Sequence, residues 1–195
     1  MRILIATYIV LGLQMVGYAQ PNKEEDFKKV LEAVVLGFSK QDSIAIEKYI
    51  NKDIGVYQLD RIGVFDHYNH FKAVSFADSY PTVLFRNASR IQLLPLQYGT
   101  LPVYDCEKEW NKKGLYVDTI KTDHLPSKIC QDWNANAGHD PIPDATIQFF
   151  RDLENNSRRI VLWDNNKREL VFYLSYLNGK WYLTVVDNVT SDCSV

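Results

Sequence analysis

Leu170-Val171-Phe172-Tyr173-Leu174-Ser175-Tyr176-Leu177-Asn178-Gly179-Lys180-Trp181-Tyr182-Leu183-Thr184-Val185-Val186-Asp187 decides the fold class. Two apolar, aromatic-rich runs flank Asn178-Gly179, the pair that supplies the positive φ angles of a type I′ turn. The reading is a hairpin of two long strands, 169–177 and 180–187. Another strand, 159–163, precedes it across the turn Asp164-Asn165-Asn166-Lys167. Successive side chains on a strand point to opposite faces. Leu170, Phe172 and Leu174 therefore share one face, Val171, Tyr173 and Leu177 the other, and both rows are apolar. Such a sheet needs cover on each side.

Cover for one face stands at the other end of the chain. Asn22 can cap a helix whose first turn, Lys23-Glu24-Glu25-Asp26, suits the positive end of the helix dipole. Phe27, Val30, Leu31, Val34, Val35 and Phe38 then draw one stripe at helical spacing, which predicts an amphipathic helix over 23–39. Asp42 or Ser43 starts a shorter helix with Ile46, Tyr49 and Ile50 inward. The segments 54–59 and 62–65 read as extended, and 66–79 is ambiguous. Pro81–Phe85 reads as a short strand. Residues 89–98 read as a strand pair or bulged strand, with Pro95 at an edge, and 115–119 can pair with it. Residues 105–155 form an irregular insert. Pro126 opens a helix there, 134–143 is a loop, and 144–154 is a second helix with Ile147, Phe150 and Leu153 inward. The expected fold class is α+β: N-terminal helices packed on a curved antiparallel sheet.

Two helices followed by antiparallel strands that end in a long hairpin, with Gly179-Lys180-Trp181 after its turn, resemble the NTF2-like superfamily; the cystatin-like fold gives nearly the same pattern. The resemblance covers residues 22–65 and 158–187. It implies a cone with a pocket between sheet and helices, lined by candidates such as Tyr57, Tyr173 and Tyr182. Members include isomerases, dehydratases and non-catalytic binding or accessory domains, so fold does not choose among them. Enzymatic members place an Asp, His or Tyr inside the cone. No family catalytic motif transfers onto residues of this chain.

The first 19 residues have the three parts of a secretory signal peptide: Arg2, an apolar run Ile3–Val16, and small residues Gly17 and Ala19 before a cut between Ala19 and Gln20. Fourteen residues at ~1.5 Å each reach ~21 Å, short of the ~30 Å hydrocarbon core. The expected product is a single domain, 20–195, exported to a periplasmic or extracellular space, with no membrane span after cleavage. In that oxidising setting Cys106, Cys130 and Cys193 allow one bridge. Cys106–Cys193 is preferred because it would pin the tail, with Cys130 as the alternative partner.

The 22 basic and 24 acidic residues give a formal charge of -2, without the basic footprint of a nucleic-acid binder. The densest polar cluster is Asp66-His67-Tyr68-Asn69-His70. On a helix His67 and His70 would share a face and could share a metal, though a third ligand would have to come from elsewhere. Gly138-His139-Asp140-Pro141 reads as turn chemistry. No phosphate loop, Gly-x-Ser-x-Gly, Cys-x-x-Cys or His-Glu-x-x-His stands in the chain. The expectation is an exported binding or accessory domain without catalysis or cofactor. Its partner would be a small apolar ligand or a protein, and a dimer is one way to cover an apolar face. The alternatives are an isomerase or hydro-lyase using a buried Asp or His, and a secreted interaction or inhibitor module.

Overall fold

A computed structural model describes residues 22–76, 88–118, 125–137 and 139–194. Helices α1 (Lys23–Lys40) and α2 (Ser43–Glu47) lead into strands β1 (Val56–Ile62) and β2 (Phe65–Phe71). Short strands β3 (Leu96–Tyr98), β4 (Tyr104–Asp105), β5 (Glu109–Trp110) and β6 (Gly114–Val117) follow. Helices α3 (Leu125–Asn136) and α4 (Asp144–Asn155) precede the long strands β7 (Ser157–Trp163), β8 (Glu169–Leu177) and β9 (Lys180–Asp187). Seven strands form one sheet in the order β2-β1-β9-β8-β7-β6-β3, and β4 pairs with β5 alone. The class is α+β. The sheet is mixed, not purely antiparallel as expected, because β1 runs parallel to β9 and β3 parallel to β6.

The helix signals act as their chemistry predicts. Asn22 Oδ1 accepts from the Glu24 N–H at 3.1 Å, and Asp42 Oδ1 accepts from Ala45 N–H at 3.0 Å. The stripe from Phe27 to Phe38 lies buried against one sheet face, with Leu115, Ile160, Leu162, Phe172, Leu174 and Leu183. In the last turn of the sheet Asn178 and Gly179 have φ of 49° and 82°. A Cβ on Gly179 would meet nothing within 4 Å, so only backbone strain opposes a side chain there. Gly179→Val is expected to destabilise by more than ~1 kcal/mol, since a β-branched residue resists positive φ; urea unfolding measures it.

The second sheet face is where expectation and structure part. An interior pocket would need this face open, yet the insert covers it. Ile129 and Cys130 of α3 and Ile147, Phe150 and Leu153 of α4 pack on Leu59, Tyr173 and Val185. Trp110, from the β4–β5 hairpin, packs on Val161, Trp163 and Val171, with Leu101 and Tyr104 alongside. The two-sided apolar pattern of β8 is thus satisfied within the chain. Residues 89–95 are irregular where a strand was expected, and only Leu96–Tyr98, just past Pro95, pairs. The expected strand Pro81–Phe85 lies outside the described residues.

The structure joins Cys106 to Cys193 at 1.98 Å across 87 positions, and leaves Cys130 a buried free thiol. Among the described residues, no helix is long and apolar enough to cross a membrane.

Candidate functional site

Residues 66–70 are strand, not helix. They belong to β2, an edge strand whose polar residues need no second covering layer. Residues three apart on a strand point to opposite sides, so His67 and His70 do not share a metal. His70 stacks on the Tyr57 ring at 4.5 Å and its Nε2 lies 2.6 Å from the Ile54 carbonyl. His67 faces the rings of Tyr68 and Trp133 at 5.5 and 5.4 Å. No group of three or more His, Cys, Asp or Glu fit for a metal occurs among the described residues.

Two of the tyrosines named as pocket candidates, Tyr57 and Tyr173, belong to a core. Tyr57 and Tyr173 both stand opposite Val185, one on each side, so the three lie abreast on the second face. Phe150 closes over that row, its ring 4.9 Å from Tyr57. Tyr173 is 2% exposed, and burial raises the Tyr57 hydroxyl above the usual range. Tyr182 is half-buried on β9 opposite Ser175. Four concavities described on the surface are lined by none of the three.

One of these concavities gathers chemistry. An open groove of about 620 Å³ lies between the β1–β2 turn, the C-terminal half of α3 and the chain's tail. Val64, Phe65 and Trp133 give it apolar surface; Arg61, Asp66, Asp132 and Asn136 give it polar groups. The turn presents Val64 at 73% exposure. Trp133 meets Phe65 edge-on at 5.8 Å and is fixed by an indole N–H donated to the Asp140 carbonyl at 3.2 Å. Arg61 Nε donates to Asp66 Oδ1 at 2.8 Å across the hairpin, where the two residues stand in register.

The residue before Arg61 on β1 centres a buried polar cluster. Asp60, 7% exposed, accepts from Asn69 Nδ2 at 2.8 Å, Gln58 Nε2 at 3.2 Å and Asn188 Nδ2 at 3.4 Å. Burial raises its carboxyl above the usual range, against the pull of those three amides and of His67. Sequence reading caught His67 and Asn69 through their density but missed Gln58, Asp60, Arg61 and Trp133. The available signal was Gln58, Asp60 and Arg61 interrupting the apolar residues of one strand, with Arg61 five residues before Asp66.

A second polar focus fixes the start of α1. Arg158 grips Glu24 with both terminal guanidinium nitrogens, Nη2 at 2.8 Å and Nη1 at 3.1 Å, while its face lies 4.4 Å from the Phe27 ring. Tyr98 donates its hydroxyl to the same carboxylate. Burial first, then Glu24, pushes the Tyr98 hydroxyl up to about 12, and the hydrogen bonds from Arg158 hold Glu24 below its usual range. A raised Tyr98 contributes stability that is whole below an unfolded pKa of about 10 and lost as pH climbs toward 12. A lowered Glu24 contributes stability that is present above 4.5 and lost as pH falls. Melting temperature against pH should therefore fall on both sides, with Tyr98→Phe flattening the alkaline limb and Arg158→Met the acid one.

No family model, curated protein or solved structure matches this chain.

Proposed function

We propose that the protein is an exported, non-catalytic binding module that recognises its partner through the groove around Trp133. The supporting observation is the insert's cover of the second sheet face: with the interior occupied, aromatic surface and convergent polar groups remain together at the groove. Export rests on the leader-like residues 1–19, and a disulfide fits an oxidising compartment. The NTF2-like reading of the helices and closing hairpin belongs to the same proposal. A partner offering an apolar side chain beside a polar group matches Val64, Phe65 and Trp133 flanked by Arg61 and Asp132.

Amide chemical-shift mapping with a panel of aromatic acids, amines and short peptides tests the reading. Shifts should cluster at Arg61, Phe65, Asp66, Trp133 and Asn136 and vanish in Trp133→Ala. Hits that map to Phe172 or Tyr173 would contradict it.

One observation favours a second reading, a small isomerase or hydro-lyase: Asp60 is a buried carboxyl held above its usual range beside His67. That reading requires turnover of a carbonyl compound in the panel, lost in Asp60→Asn while binding at Trp133 persists.

A further inference from the structure

The tail that walls the groove is held in two different ways. Its first half is anchored from inside. The Asn188 N–H donates to the Leu59 carbonyl at 3.1 Å, Val189 is 5% exposed in the core, and Asp187 Oδ1 accepts from the N–H groups of Val189 and Thr190 at 3.0 Å each. Beyond Ser191, whose hydroxyl reaches Glu169, the grip changes. The carbonyls of Asp192 and Ser194 accept from one nitrogen, Arg61 Nη1, at 2.9 and 3.3 Å, and Cys193 between them is bonded to Cys106. Both cysteines are exposed. Ser194 lines the groove beside Arg61.

We propose that Cys106–Cys193 is a redox latch on the groove: a dithiol reductant that opens it frees residues 192–194 and releases Arg61 Nη1 into the groove. The proposal rests on the groove being the recognition surface. In the exchange a reductant thiolate attacks Cys193 Sγ, forming a mixed disulfide and expelling Cys106 as a thiolate that takes up a proton. The reductant's second thiolate then attacks its own bonded sulfur. Cys193 leaves as a thiolate and is protonated, and the reductant ends as a disulfide, two electrons poorer. The third cysteine does not interfere. Cys130 is 0% exposed, and burial pushes its thiol up to about 12, so it supplies no thiolate to attack the bond.

The latch changes what the groove offers. Closed, Arg61 spends Nε on Asp66 and Nη1 on the tail carbonyls. Open, Nη1 faces the groove and favours a carboxylate or phosphate on the ligand. The oxidised form is accordingly the weaker binder of anionic ligands.

The test uses the protein labelled with 5-fluorotryptophan and compares it oxidised, reduced with dithiothreitol, and as Cys106→Ser/Cys193→Ser. Opening should move the Trp133 fluorine resonance and leave those of Trp163 and Trp181 in place. Exchange of the Asp192 amide, whose N–H donates to the Val189 carbonyl at 3.1 Å, should rise by about tenfold or more, since the turn around it loses its covalent anchor. Identical Trp133 resonance and tail exchange in all three samples would overturn the latch. Collapse of all four tryptophan resonances to unfolded positions would overturn it too, because the bond would then be a staple of the whole fold. Arg61→Met with the disulfide intact should shift Trp133 without raising exchange to the reduced level. None of these readouts needs a ligand, so the latch can fail while panel binding at Trp133 still succeeds, or the reverse.

Discussion

Asp187→Ala should lower stability by about 3–5 kcal/mol, the usual cost of removing one partner from a buried ion pair. For a domain of this size that is a fall of roughly 6–20 °C in Tm. Asp187 is 2% exposed at the end of β9, and its carboxylate meets Arg159 Nη2 at 2.7 Å. The same two oxygens accept from the N–H groups of Val189 and Thr190 and from the Thr190 hydroxyl, at 3.0, 3.0 and 2.7 Å. Alanine therefore takes the carboxylate away from a guanidinium that is itself 8% exposed and undoes the turn that sends the tail toward Cys106. Asp187→Asn keeps the shape and one acceptor, so it should cost distinctly less. Guanidinium unfolding at pH 7 measures both, and a loss under about 1 kcal/mol for Asp187→Ala would contradict this role.

Phe150→Ala is the second large effect, also about 3–5 kcal/mol. Phe150 is 0% exposed, its ring 4.9 Å from Tyr57 and 5.0 Å from Tyr68. It carries the contact between α4 and the second sheet face. Were that face an open pocket with α4 laid loosely beside it, truncation would cost little. Phe149 lies one residue earlier and half-buried, so Phe149→Ala should cost less than half as much. The pair of melting curves reports separately on the covering layer and its rim.

Sequence carried the parts of this fold that are local. A helix with Asn22 as cap and a stripe from Phe27 to Phe38 needs only 3.6-residue spacing. A hairpin at Asn178-Gly179 needs only the φ preferences of two residues. For the cysteines the sequence supports only a preference, Cys106–Cys193 over a partner at Cys130, because a bridge at Cys193 would pin the tail; the structure has that pair. Strand β2 stayed hidden because an edge strand, flanked by one neighbour, carries Asp66, His67, Asn69 and His70 where the central β8 sets apolar rows on both faces. Cover of the second face was hidden for another reason. The apolar rows of β8 state that a partner exists, while its identity depends on long-range packing of Ile129, Ile147 and Phe150 from segments separated by turns.

Buried polar pairs were equally out of reach. Glu154, in the last turn of α4, is 6% exposed and accepts from Ser127 N–H and hydroxyl at 2.7 and 2.8 Å, holding the first turn of α3. A Glu near a helix end reads as a solvated residue until the helix beside it is placed. Ser157, Ser175 and Thr184 are likewise buried and linked in a row across β7, β8 and β9. Their hydroxyls satisfy one another, which no spacing along the chain reveals.

The solvent isotope shift of 5-fluorotryptophan NMR tests most directly that the chain itself fills both faces of the sheet. Trp181 lies against α1 on the first face at 4% exposure; Trp110 and Trp163 lie on the second at 3% and 8%. Trp133 stands half-buried in the groove. Exchange of H2O for D2O should shift the Trp133 resonance and leave the other three nearly unmoved. A shift at Trp110, Trp163 or Trp181 as large as that at Trp133 would show water against the sheet and contradict the filled interior.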